Sequence, residues 1–276
     1  MTRPANLHPV THHAQLAVID RARTELPKDE RVLGVFLIGS HASGEDDAYS
    51  DVDVHVVIAD DAADSFRADF ARVLEDLAGP LVLADPIPGL IGGLGITEDW
   101  LHVDLIAHPL SEYEPADYEA VLPLFDRTGD LLPPARRPAA EHGEPYFPLP
   151  AVNLFFYFLG NLVTVLGRDE RVVGNSGIVA VRDQLVKLMR AERGVRRTGG
   201  LKRLNTYLST EQRAFLESIP AAGTDPADIV AANRVICAEF IRRGRALAEN
   251  TKAAWPDRLE EATLRRLRDH FGVEFG

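Results

Sequence analysis

The chain has 276 residues, 46% hydrophobic and 26% charged, the balance of a globular protein with room for two modest cores. Thirty Lys and Arg against 42 Asp and Glu give a formal charge of -12, so the average surface repels phosphate backbones and nucleic acid is not an expected partner. A single cysteine, Cys237, excludes an intramolecular disulfide, the first ten residues carry no apolar signal stretch, and the apolar run Leu154 to Leu166 falls short of the roughly 20 residues of a bilayer span; a cytoplasmic chain with no membrane role is the expectation.

In chain order, helical spacing runs from Leu16 to Glu25 and again from Asp64 to Leu77. Apolar runs of strand length occupy Gly34 to Ile38, Val52 to Ile58, Leu81 to Leu83 and Leu101 to Ala107, so this half reads as α/β or α+β. The glycines of Gly89 to Gly95 (GLIGGLG) do not follow a strand and open a helix as a dinucleotide fingerprint does, and they read as a flexible turn. From Gly129 to Pro150 the prolines of GDLLPPARRPAAEHGEPYFPLP stop helices and remove strand donors. That places one domain at 1–130, a linker at 131–150 and a second domain at 151–276. In the second, Val152 to Leu166, Gly177 to Arg193, Thr210 to Ser218, Pro226 to Glu249 and Asp257 to Phe271 have helical length and spacing, which predicts a helical bundle.

The chemistry concentrates in Val35 to Ala59, VFLIGSHASGEDDAYSDVDVHVVIA. An apolar strand ends at Gly39-Ser40, a polar loop follows, and Asp51-Val52-Asp53 opens a second strand. Side chains alternate along a strand, so Asp51, Asp53 and His55 share one face while Val52, Val54, Val56 and Ile58 share the other. Two carboxylates held together on a rigid element suit Mg²⁺, which binds through oxygen and also bridges triphosphate oxygens. Gly39 lets the backbone approach a phosphate, the Ser40 hydroxyl can donate to it, and Ser50, just ahead of Asp51, is counted with them as a nucleotide contact. The alternative is a turn followed by a solvated edge strand.

Gly39, Ser40, Asp51 and Asp53 resemble the signature of the DNA polymerase beta-like nucleotidyltransferase superfamily. The resemblance implies a third acid on a later strand; Asp104, in the apolar stretch Trp100 to Ile106 with His102 on its face, matches it. It is expected to act as general base for an acceptor hydroxyl and to share a metal, the alternative being a salt-bridged structural acid. Within the superfamily, GSHASGEDDAYSDVDV and the helical half are most similar to antibiotic nucleotidyltransferases of the lincosamide type, with aminoglycoside adenylyltransferases more distant. In the second half NLFFYFLGNLVTVLGRDERVVGNSGIVAVRDQLVKLMRAE looks like the helical pair those enzymes pack beside the nucleotide. The chain differs at Ser43-Gly44, where many relatives carry Arg-Gly. The resemblance implies an α+β fold, a mixed sheet with flanking helices followed by a helical bundle. It also implies Mg²⁺-dependent transfer of a nucleoside monophosphate from a nucleoside triphosphate, ATP above all, to a hydroxylated small molecule, and a homodimer that completes the acceptor pocket. Transfer to a protein or RNA, or a catalytically silent nucleotide-binding module, are the competing readings.

From Ile178 to Met189, helical spacing gathers Ile178, Val181, Leu185, Leu188 and Met189 on one face with Arg182 among them. A cation on an apolar face needs an anion, either the triphosphate or an acid of the first domain; Lys187 projects from the opposite face. The nine histidines show no paired zinc spacing. His41, His55 and His102 are expected to make ordinary polar contacts, with phosphate or acceptor contacts as the alternative.

Overall fold

The computed structural model describes residues 12–114, 118, 120–135, 143–196 and 204–276. They form two compact units, Met1–Ala139 and Ala140–Gly276. The first contains α1 (His12–Thr24), β1 (Val32–Leu37), α2 (Gly39–Ser43), β2 (Val52–Ile58), α3 (Ala63–Ala78), β3 (Leu81–Pro86), β4 (Ile91–Thr97), β5 (His102–Pro109) and β6 (Leu122–Asp126). Six strands make one sheet in the order β3-β4-β5-β2-β1-β6. Neighbours run antiparallel except β2 and β5, which are parallel. With the helical second unit this is an α+β chain.

The valine parity of β2 decides which face of the sheet is covered. Val52, Val54, Val56 and Ile58 are fully buried and join Val18 and Ala22 of α1 and Phe66, Phe70, Leu74 and Leu77 of α3 in one core. Burying each such side chain is worth about 1.5–3 kcal/mol, so a one-residue slip of β2 would drive Asp53 and His55 into that core and is strongly disfavoured. The other face carries the polar residues of β2 and, farther along, a smaller cluster of Phe36, Val57 and Val121 against which Leu131 and Leu132 pack.

Two elements differ from the sequence reading. Gly89 to Gly95 is not a flexible turn: Ile91–Thr97 is a strand between β3 and β5. Its glycines answer close approach, because a Cβ on Gly92 would overlap the Leu105 carbonyl oxygen, one on Gly93 the Asp85 carbonyl oxygen, and one on Gly95 would crowd Leu74 of α3. β6 was also not expected; its Pro123 cannot donate to a ladder, and the strand lies at the sheet edge, where that is tolerated.

The second unit contains α4 (Leu149–Gly167), α5 (Arg171–Glu192), α6 (Leu204–Tyr207), α7 (Thr210–Ser218), α8 (Pro226–Thr251) and α9 (Asp257–Phe271). Local signals set the ends. Ser209 and Gln212 form a reciprocal capping box on α7, and Asp225 caps α8 ahead of Pro226. α4 is longer than its apolar run suggests, and at 19 residues it is long and apolar enough to cross a bilayer, which corrects the expectation from Leu154 to Leu166. Val152, Phe155, Phe156, Leu159 and Leu162 nevertheless lie in the unit's core at the i, i+3, i+4, i+7 spacing of a core helix.

Arg182 also differs from the sequence reading. It is exposed on α5, because the wheel angle says which side a residue takes but not how far the covering helices reach along the axis. Burial of α5 becomes nearly continuous only from Val181 onward, and the turns before it are largely open. A buried guanidinium does occur in this unit, but it is Arg243. It contacts Glu239 at 2.6 Å, Glu192 at 2.9 Å and Glu211 at 2.6 Å, tying α8 to α5 and α7.

Candidate active site

β2 and β5 run parallel with Asp53 opposite Asp104 and Val52 opposite Val103. Asp51 enters β2 and His102 begins β5 one step earlier, so Asp51, Asp53, His102 and Asp104 all take the face away from α1 and α3. The pairing therefore brings Asp104 beside Asp51 and Asp53, which lie far from it in sequence. All four side chains are half-buried.

Three carboxylates this close raise one another's energy, and a cation between them lowers it. His102 supplies one. Its Nε2 lies 2.9 Å from Asp104 Oδ1 and its Nδ1 3.6 Å from Asp51 Oδ2. The pairing with Asp104, then with Asp51, outweighs desolvation and lifts its pKa to about 9, so the ring is an imidazolium at neutral pH. The contact to Asp104 is an ion pair rather than an aligned hydrogen bond, since neither atom makes one.

The turn above β1 faces this cluster. Gly39 has φ +65°, and a Cβ there would overlap Asp53 Oδ2, so glycine is required both for the backbone conformation and for the carboxylate beside it. The polar loop expected after Gly39-Ser40 begins as the single turn α2, closed by Gly44 at φ 78°. Ser40 Oγ is buried and, among the described residues, has no hydrogen-bond partner. Ser50 serves the loop itself: its Oγ accepts from Asp47 N at 3.0 Å and donates to Asp47 Oδ1 at 3.3 Å.

A hard cation fits this donor set. The available ligands are carboxylate oxygens, which suit Mg²⁺, and a buried hydroxyl awaits a partner. Among the described residues no three side chains of the ligating types close around a metal unaided. Two carboxylates completed by phosphate oxygens and water are the usual arrangement for that ion.

The other histidines are placed differently. His41 is buried with Nδ1 3.6 Å from Asp46, and burial lowers its pKa. His55 is buried too, its Nδ1 2.8 Å from His108 Nε2, where Tyr118 Oη also arrives at 3.1 Å. Desolvation, then His108, pushes His55 down to about 3, so it stays neutral. His108 and Tyr118 were not singled out from sequence, though His108 continues the alternation from His102 and Asp104. Gln15 was missed as well, and the signal for it was a glutamine on the apolar stripe of the first helix. Arg182 belongs to α5 of the second unit.

Residues 19–84 match the nucleotidyltransferase domain family, a span that includes Gly39, Ser40, Asp51 and Asp53 but not Asp104. No curated protein matches. Among solved structures, an aminoglycoside 6-adenyltransferase from Bacillus subtilis is similar at 18% identity over 92% of this chain and 97% of that one, with a TM-score of 0.37.

Proposed function

We propose that this chain, which matches the nucleotidyltransferase domain family over residues 19–84, moves a nucleoside monophosphate from a nucleoside triphosphate onto a hydroxyl of a small molecule. The observation that carries the reading is the set of carboxylates on the parallel β2–β5 pair facing the Gly39–Ser40 turn. Asp51 and Asp53, with a share from Asp104, are the residues that hold Mg²⁺. When bound, that ion neutralises triphosphate charge and the charge that develops as pyrophosphate departs.

Gly39 leaves room for the Asp53 carboxylate against the turn, and Ser40 Oγ donates its unused hydrogen to a phosphate oxygen. Asp104 takes the proton of the attacking hydroxyl. As that oxygen bonds to the α-phosphorus, the bridge to the β-phosphate breaks and pyrophosphate leaves with the electron pair. His102, whose Nε2 lies 2.9 Å from Asp104 Oδ1, orients that carboxylate. Such catalysis rests on positioning and charge neutralisation and needs no covalent nucleophile on the protein. A hydroxylated antibiotic of lincosamide or aminoglycoside type is the acceptor class put forward from the sequence resemblance, and a homodimer belongs to the same proposal. ATP is the donor to try first.

The test is incubation with Mg²⁺, each labelled nucleoside triphosphate in turn, and a panel of hydroxylated small molecules, followed by mass spectrometry. An acceptor heavier by one nucleotide, with pyrophosphate released in equal amount, is expected. Triphosphate left intact across the panel, or label appearing on added RNA or protein instead, overturns the small-molecule reading.

A further inference from the structure

α1 buries Gln15, Val18, Ile19 and Ala22 on one stripe, and Gln15 is 0% exposed. A primary amide there is costly unless each polar atom finds a partner. Nε2 uses both hydrogens, donating to Ser50 O at 2.7 Å and to Asp47 O at 3.1 Å, while Oε1 lies 3.1 Å from His12 Nδ1.

Those two carbonyls belong to one tight turn. Ser50 N donates to Asp47 O at 3.1 Å, and Tyr49 N donates to Asp47 Oδ1 at 2.9 Å. A second clamp lies beside the first, with His12 Nε2 and His41 Nδ1 each 3.6 Å from Asp46 Oδ2. The loop between the Gly39–Ser40 turn and β2 is therefore fastened to α1 at two points, and the residue after the fastened Ser50 carbonyl is Asp51.

We infer that Gln15 is a positioning residue for the metal site: by holding the Asp47 and Ser50 carbonyls, it sets the direction in which the chain enters β2. That direction decides where the Asp51 carboxylate stands relative to Asp53 and Asp104. Gln15 touches no reacting atom, and the inference rests on the reading of Asp51 as a metal ligand. A merely structural glutamine would affect stability alone; a positioning one also controls cation affinity.

Mn²⁺ titrated calorimetrically into the full chain without nucleotide separates the two. Gln15→Met keeps length and apolar bulk but removes both donors, and Gln15→Glu keeps Oε1 while turning the donor into an acceptor that repels the carbonyls. Folded by circular dichroism, both variants are expected to bind Mn²⁺ about 10-fold more weakly or worse, the loss typical when a bond that orients a ligand is removed. Hydrogen exchange should speed up at the amides of residues 47–52 but not in α3. In turnover, the Mg²⁺ concentration for half-maximal rate should rise, with much of the rate restored by excess Mg²⁺. Unchanged Mn²⁺ affinity and loop exchange in the folded variants overturn the inference. If neither variant folds, the wild-type chain decides: Gln15 side-chain amide protons that exchange slowly by NMR support the anchor, and fast exchange refutes it. Asp51→Asn is the control for the premise, because Mn²⁺ binding undiminished in that variant sinks the metal reading itself, whereas loss there with normal binding in the Gln15 variants sinks only the role of Gln15.

Discussion

His102 contacts both Asp51 and Asp104, and the charge on each acid can be tested by substitution. Replacing Asp51 or Asp53 by Asn keeps side-chain volume and removes one like charge from a crowded group. Transfer should vanish while the chain stays folded, because the change removes a ligand charge and keeps the side-chain shape. Turnover and thermal unfolding on the same preparations check this, and retained turnover in both variants removes the metal assignment. Asp104→Asn should leave triphosphate affinity largely intact and slow transfer by at least the ~10²-fold typical of losing a general base. If calorimetry shows affinity lost as fully as in Asp51→Asn, Asp104 is chiefly a metal ligand.

Strand β4 lies against β5, and with it Asp104, through a glycine that no side chain can replace. Gly92 sits at φ +124° against the Leu105 carbonyl, so Gly92→Ala adds backbone strain of about 1–3 kcal/mol to a direct overlap with the strand that carries Asp104. Gly177 in α5 has open space around it, and there alanine should stabilise by about 0.5–1 kcal/mol through lower chain entropy. The same substitution therefore has opposite signs in the two elements. Urea unfolding of both variants measures it, and a Gly92→Ala protein as stable as the parent would refute the close-packed account of β4.

Each unit buries a core of its own, and in the second that core encloses Cys237, which is 0% exposed. Burial, and to a lesser extent the charge of Glu260, pushes its thiol from 9.0 up to about 12. At pH 8 a thiol reagent should leave the native chain untouched and consume one equivalent once it is unfolded. The buried neutral thiol contributes fully to stability below pH 9 and loses that contribution as pH climbs towards 12, because only the unfolded chain releases its proton easily. Rapid labelling under native conditions would mean that the second core opens on the timescale of the assay.

Alternation in β2 and the Gly-Ser to Asp-x-Asp spacing were legible without coordinates, because strand geometry assigns faces from parity alone and each motif residue lies within one local segment. Helix spacing located α4, α5, α7, α8 and α9 for the same reason, since amphipathic period and caps are local. What depended on the fold was which distant segments meet. The parallel register sets Asp53 beside Asp104, and Gln15 reaches a turn 35 residues on. Gly92, Gly93 and Gly95 looked like a turn because glycine is read locally as freedom, when here it answers a neighbour's carbonyl or side chain. Arg182 looked buried because periodicity carries angle but not the extent of the helices packed alongside. Pairing and coverage are properties of chain segments brought together from far apart, and a linear pattern does not encode the distance between them.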